Sequence, residues 1–479
     1  MFRKDVVWAL CLSLTVSAGC GAEGAEPGFE GAFEQDDDGD SGLVQKHRKG
    51  HRGKDGKRGR KNQKYVRKLR QQLERHDVQP IVEAPEVSDE LFDLGEALAF
   101  DKLLSGNRNI SCMTCHHPNL GSDDDRSLPL GEGGVGLGQT RSGGHVIPRS
   151  APPLFNLHAY DTMFWDNRVF VDEEGDLVTP AGEQLTDEMR EVLEFGVVAA
   201  QAMFPVTSRE EMRGQRGDNE LADLEDNDFQ GIWAALMTRL RETEGDAYRN
   251  LFEAAYPGTY FEDMSFAHAA NAIAGWEIST FRSEGSPFQR FVAGDDHALD
   301  KKQLKGAIEF YKTGCGNCHS GGTLSDFAPH NTLMAQFGPG KGDGESGRDD
   351  FGFERVSGDP ADRYKFRTPP LFNVALTAPY GHVGQHDTLK RHIEHYDKPN
   401  KALRKYRITR AVENEELHDT FLNNRRAVVS AGVDRAVDDL RKVKERYLLR
   451  FLHSLTDPGA VDLSHTVPDT VPSGLPVED

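Results

Sequence analysis

Two Cys-x-x-Cys-His runs, at 112–116 and 315–319, constrain this chain more than any other feature. The spacing is that of covalent haem attachment. Two thiols three positions apart on a tight turn can each add to one porphyrin vinyl group, and the histidine that follows then sits beneath the iron. With six Cys and 18 His, one such run arises by chance about three times in a thousand chains of this composition, and two together are far rarer. The chain is thus expected to carry two haem c groups, on Cys112, Cys115 and His116 and on Cys315, Cys318 and His319. A four-cysteine zinc site is the rival reading; it needs both runs to converge and leaves both histidines unused.

The rest of the cysteine inventory agrees. Of six cysteines, Cys11 lies in an apolar N-terminal stretch and Cys20 ends a run of small residues, so no pair remains for a structural disulfide. Arg3 and Lys4, then the apolar Val6 to Val16, then Ser17-Ala18-Gly19-Cys20 read as a bacterial export signal ending at a lipoprotein processing site. The expected location is the periplasmic side, with a lipid anchor on Cys20 in the outer membrane. Haem c attachment also takes place outside the cytoplasm. The net charge of -21 argues against a nucleic-acid partner and favours a basic one.

Beyond the signal (1–20), residues 21–85 read as a disordered charged tether, acidic at first and then dense in Lys, Arg and His, with helical potential only near Tyr65 to Leu73. Two haem domains are expected at 86–298 and 299–457, with a flexible tail at 458–479. Ser88 caps a helix that aligns Leu91, Leu94 and Leu98. Helical spacing recurs at 188–203, 229–256, 265–281 and 433–455, and Asp300 with Gln303 forms a capping box before the second motif. Glycine- and charge-rich loops fall at 131–144, 218–228 and 337–350. The fold class is mainly α: two cytochrome c-like domains in tandem, joined by long loops.

Five segments carry a resemblance to a known family: "LGEALAFDKLLSGNRNISCMTCHHP", "PRSAPPLFN", "FWDNR", "SPFQRFVAGDDHALDKKQLKGAIEFYKTGCGNCHSG" and "FRTPPLFNVALTAPYGHVGQHDTL". In this order they resemble the bacterial di-haem cytochrome c peroxidases, including their MauG branch, from about Leu94 to Tyr396. The resemblance implies that the first haem is the peroxide site, lined by Gln201 and Glu211, with Glu211 moving protons during O–O cleavage. Glu210 is the competing carboxylate. Trp165 matches a tryptophan set between the haems, placed to relay electrons. Some twenty-five additional residues between Trp165 and Gln201 are expected to form a surface hairpin or loop.

The sixth ligand of each iron decides its role. Met334 is the only methionine after His319; His382, His386, His392, His395 and Tyr396 are further candidates. Tyr396 occupies the position where the peroxidases carry an axial methionine, as in MauG-type proteins, and is the candidate axial ligand of the second haem. A tyrosinate there lowers the reduction potential. His145, before "PRSAPP", is the weaker candidate for the first haem. The family's calcium ion implies the carbonyls of Thr377 and Pro379, with Ser150 where the family has asparagine. The expected activity is reduction of hydrogen peroxide to water with electrons from a small cytochrome or cupredoxin. A MauG-like oxidase acting on a protein or small substrate, and a non-catalytic electron-transfer cytochrome, are the alternatives.

Overall fold

The computed structural model describes residues 55–440 and 444–478. The export signal, Cys20 and the first part of the tether lie outside them. Helices dominate, and no strand among the described residues exceeds three residues. The mainly α expectation is met at that level.

Two helix pairs organise the molecule, and each precedes or encloses one haem motif. Helix α1 spans Asp55–Arg75 and α2 spans Asp89–Phe100, capped by Ser88, whose hydroxyl accepts from the Leu91 N–H. The predicted 188–203 helix is two, α3 (Asp187–Val192) and α4 (Gly196–Ala202). The predicted 229–256 helix is also two, α5 (Phe229–Arg241) and α6 (Ala247–Ala255). Then come α7 (Phe266–Thr280), α8 (Lys301–Thr313, with the capping box of Asp300 and Gln303), α9 (Leu389–Asp397) and α10 (Glu445–Leu452). Leu94, Leu98 and Phe100 of α2 pack on α7, with Phe100 edge-on to Trp276 at 5.4 Å between centroids. A side chain on Gly95 would collide with the Ala272 carbonyl of α7, and one on Gly306 of α8 with the Tyr447 carbonyl of α10. Glycine thus permits the tightest helix contact in both halves.

Three strands, β1 (Thr162–Met163), β2 (Val169–Val171) and β3 (Leu177–Val178), form an antiparallel sheet in the order β1-β2-β3. The β2–β3 hairpin pairs Phe170 with Val178 and turns through Asp172 to Asp176. It lies in the segment between Trp165 and Gln201, where a surface hairpin or loop was expected; α3 occupies part of the remainder.

Two expectations about the chain ends need correction. The stretch 55–75, assigned to a disordered tether, is helical, and Val66, Leu69 and Leu73 are buried in the core around α8 and α10. Three apolar residues on one face are enough once a partner surface exists. The tail, expected to be flexible, packs on the opposite core through Ala460, Leu463 and Val471. Ser473 Oγ donates to the buried Asp101 carboxylate at 2.7 Å, which also accepts from Tyr248 Oη at 2.6 Å. The predicted 433–455 helix survives only as a four-residue turn at Arg435–Asp438 and as α10 among the described residues. The described chain from residue 55 onward is one compact unit.

Candidate active site

The first motif forms a single helical turn, Cys112–Cys115. Thr114 Oγ1 accepts from the Ser111 N–H at 3.1 Å, which ties off the start of the turn. His116 follows, its Nδ1 3.3 Å from the Ser122 carbonyl. That contact helps to fix the ring. Burial pushes the His116 pKa down to about 4, so the imidazole is neutral, the state a metal ligand needs. The second motif repeats the arrangement. His319 Nδ1 lies 2.9 Å from the Leu324 carbonyl, and burial again lowers its pKa. All four cysteines are free, and burial raises the thiols of Cys112 to about 12 and Cys315 to about 11.

Each motif borders a cavity. The first, of about 1190 Å³, is lined by Cys112, Cys115 and His116 and, elsewhere on its wall, by Gln201, Glu211 and Trp165. The second, of about 1520 Å³, is lined by Cys315, Cys318 and His319 and by Tyr396, His392 and Met334. Each is a hollow built directly against the cysteines and histidine of its motif, where a porphyrin bonded to those thiols would have to lie. Their unpaired polar atoms also fit a ligand with two carboxylates. Arg367 Nη1 is buried without a partner and borders both cavities, and His382 Nε2 is similarly orphaned in the second. The residues present fit haem at both motifs.

Glu211 sits on a wide helical turn, Arg209–Arg213. Its position is set from outside: the Glu132 N–H donates to the Glu210 carbonyl at 3.1 Å, and the Gly106 N–H to the Met212 carbonyl at 2.7 Å. With the backbone pinned on both sides, Glu211 lines the cavity while Glu210 is exposed and does not. This separates the two carboxylates that the sequence left in competition. Burial raises the Glu211 pKa, and the nearby Arg168 and Lys341 oppose that shift.

Several lining residues were not singled out from the sequence. Lys341 comes from the 337–350 loop and faces the first cavity, where burial lowers its pKa. Arg149 is buried between two carboxylates, with Nη1 2.7 Å from Asp166 and Nε 2.7 Å from Asp350. Arg168 pairs with Asp166 at 2.9 Å and lies over the Phe164 ring at 3.4 Å. Glu277 borders the first cavity with Oε2 unpaired, and burial lifts its pKa to about 8. Arg149 and Arg168 lie within the resembling segments PRSAPPLFN and FWDNR, but no motif marks Lys341 or Glu277, which reach the cavity from a distant loop and from α7.

Trp165 borders both cavities, and so do Ser150, Ala151, Pro153 and Arg367. Trp165 Nε1 donates to the Ser150 carbonyl at 2.8 Å, which fixes the indole in this shared wall.

The axial candidates sort unequally. Tyr396 lines the second cavity, with its ring 5.3 Å from His392, and burial holds its phenol well above the ordinary pKa. Met334 also lines it, but its sulfur accepts from Gln385 Nε2 at 2.7 Å. His395 turns away to the Thr332 carbonyl at 2.8 Å, and His386 contacts His392 at 3.1 Å without lining the cavity. His145 is exposed and outside the first cavity's wall; backbone bonds to Gly131 and Glu132 hold its segment there. Thr377 and Pro379 line the second cavity. Ser150 has its N–H on the His382 carbonyl at 2.9 Å and its own carbonyl on Trp165.

Comparison with known proteins follows the same outline. Residues 89–297 match the family model described as di-haem cytochrome c peroxidase. Methylamine utilization protein MauG of Methylorubrum extorquens is 30% identical over 332 residues, covering 69% of this chain and 75% of its own. Cytochrome c551 peroxidase of Pseudomonas aeruginosa is 30% identical over 303 residues, or 62% and 69% of the two chains. Among solved structures, a MauG-like protein associated with microbial copper homeostasis superposes with a TM-score of 0.55 at 26% identity, over 81% of this chain and 95% of that one. The di-haem peroxidase BthA of Burkholderia thailandensis shares the fold, with a TM-score of 0.53 at 18% identity over 84% and 94% of the chains.

Proposed function

The chain belongs to the di-haem cytochrome c peroxidase family, and on that premise we propose that it reduces hydrogen peroxide to water in the first cavity, with electrons entering through the second. Haem held by Cys112, Cys115 and His116 and by Cys315, Cys318 and His319 would supply iron that exchanges single electrons, and at the first motif the redox chemistry of peroxide reduction. The balance is one peroxide, two electrons and two protons to two waters. The residues of the chain handle protons, orientation and the electron route.

Glu211 takes the proton from one peroxide oxygen and returns it to the departing one. A carboxylate in a dry cavity can do both, and such proton transfer contributes about 10²–10⁴-fold. Gln201 offers an amide that orients the peroxide. Arg168 and Lys341 counter the burial of Glu211 and favour its ionised form. Trp165, in the wall common to both cavities, is the natural bridge for electrons. We read the motifs as the centres of two tandem haem domains, 86–298 and 299–457. The observation that carries the proposal is Glu211 lining the same cavity as Cys112, Cys115 and His116.

One observation favours a second reading. In the second cavity the Met334 sulfur is engaged by Gln385, whereas Tyr396 faces the cavity. Tyrosine ligation would suit an oxidase that stores oxidising equivalents and acts on a protein or small substrate. The donor for the peroxidase reading is a small redox protein, cytochrome or cupredoxin. A periplasmic location with a lipid anchor on Cys20 is part of the same proposal. So is a calcium ion at the Thr377 and Pro379 carbonyls, to which Ser150 could add only its hydroxyl.

Peroxide turnover with a small-molecule electron donor tests the central assignment. Glu211→Gln should lose at least about 100-fold in turnover while keeping both haems. Turnover equal to that of the unaltered protein would remove Glu211 from the chemistry.

A further inference from the structure

The net charge of the chain is -21, yet one groove on its surface has the opposite sign. Helices α1, α8 and α10 meet along it. Its walls carry Lys68, Lys305, Lys312 and Lys444 against a single acid, Glu309, in a space of about 820 Å³. Tyr65 and Tyr447 form the aromatic part, and Lys305 Nζ lies 5.7 Å from one ring centre and 5.2 Å from the other. Lys444 pairs with Glu309 at 3.5 Å but is 68% exposed; Lys68 and Lys312 are exposed as well. Like charges gathered on three separate elements repel one another, and that repulsion is relieved when an anionic surface is bound.

The place of the groove identifies the kind of occupant. The inner sides of two of these helices line the second cavity, through Phe310 of α8 and Leu448 and Leu452 of α10. Helix α8 ends at Thr313, two residues before Cys315. A partner in the groove is therefore separated from the second cavity by one helix, about 10 Å across. A membrane surface would gain nothing from that proximity, whereas an electron donor would. Helix α1, which supplies Tyr65 and Lys68, precedes the family match that starts at residue 89.

We propose that this groove docks the acidic face of a small electron-donor protein and delivers its electrons to the second haem. The proposal rests on the peroxidase reading and reverses the basic partner that the overall charge suggests. Tyrosine is enriched in protein interfaces, and the surrounding lysines steer encounter in a salt-dependent way.

The test uses mitochondrial-type cytochrome c in two forms, with its lysines intact and with its lysines succinylated, so that one basic and one acidic donor are compared. The holoprotein and its triple variant Lys68→Glu, Lys312→Glu, Lys444→Glu are assayed with each form, with a small dye donor, and for direct binding by calorimetry at low ionic strength. For the acidic donor, kcat/KM should fall about tenfold or more in the variant, the effect should fade with added salt, and binding should weaken in parallel. Turnover with the dye should not change. Equal kcat/KM and equal binding of the acidic donor in both proteins would overturn the proposal. So would loss in the variant of binding to phosphatidylglycerol vesicles with donor kinetics unaltered, which would make the groove a lipid site. If the dye shows no peroxide turnover even in the unaltered protein, the peroxidase reading fails instead, and the calorimetric arm still decides the docking.

Discussion

Glu211 and Lys341 reach one cavity from opposite halves of the chain, and the acid limb of the pH profile should report on both. A general base must be deprotonated to act, and burial raises the Glu211 pKa. Turnover should therefore fall on acidification with a midpoint above the ordinary glutamate value of about 4.3. Lys341 opposes the rise, so Lys341→Met should move that limb to higher pH, as read from kcat/KM across pH; a limb that stays in place would detach Lys341 from Glu211. The carboxylates around Arg149 behave differently. Burial alone would raise Asp166 and Asp350, but Arg149, with Arg168 on Asp166, outweighs burial and holds both below the usual range. Depressed carboxylates contribute stability that is present above their unfolded value of about 3.9 and lost as pH falls through the folded value. Arg149→Met would leave two buried acids undercompensated, and should cost about 3–5 kcal/mol in denaturant unfolding near neutral pH.

At the scale of elements, the haem turns were legible because two thiols and an imidazole must occupy fixed places on one turn. The capping box of Asp300 and Gln303, the Ser88 cap and the α2, α7 and α8 faces were legible from spacing alone. The ends of the chain were not. Helix α1 carries only three apolar anchors amid dense positive charge, and nothing local shows that α8 and α10 offer a surface for them. The tail is rich in proline and lacks periodicity, yet Ser473 completes the bonding of the buried Asp101. Leu69 is fully buried, so Leu69→Ala should cost about 2–5 kcal/mol in unfolding measurements. A disordered tether would show no change.

For the whole molecule, the cavities were implied by the motifs, and Gln201, Glu211 and Trp165 by resemblance. What no local pattern could supply is the way a long loop completes the first cavity: Lys341 comes from a segment whose glycine and charge content says only that it is a loop. The shared wall is likewise a tertiary fact. Trp165 is fixed in it by Ser150, and Arg367 borders both cavities. The account therefore stands on coupling between the two sites, and the direct measurement is stopped-flow absorbance at the bands of the second haem after peroxide is mixed with the fully reduced protein. The unaltered protein should show both haems oxidised in one fast phase, and Trp165→Phe should delay the second. A second haem that stays reduced in the unaltered protein while the first reacts would contradict the account.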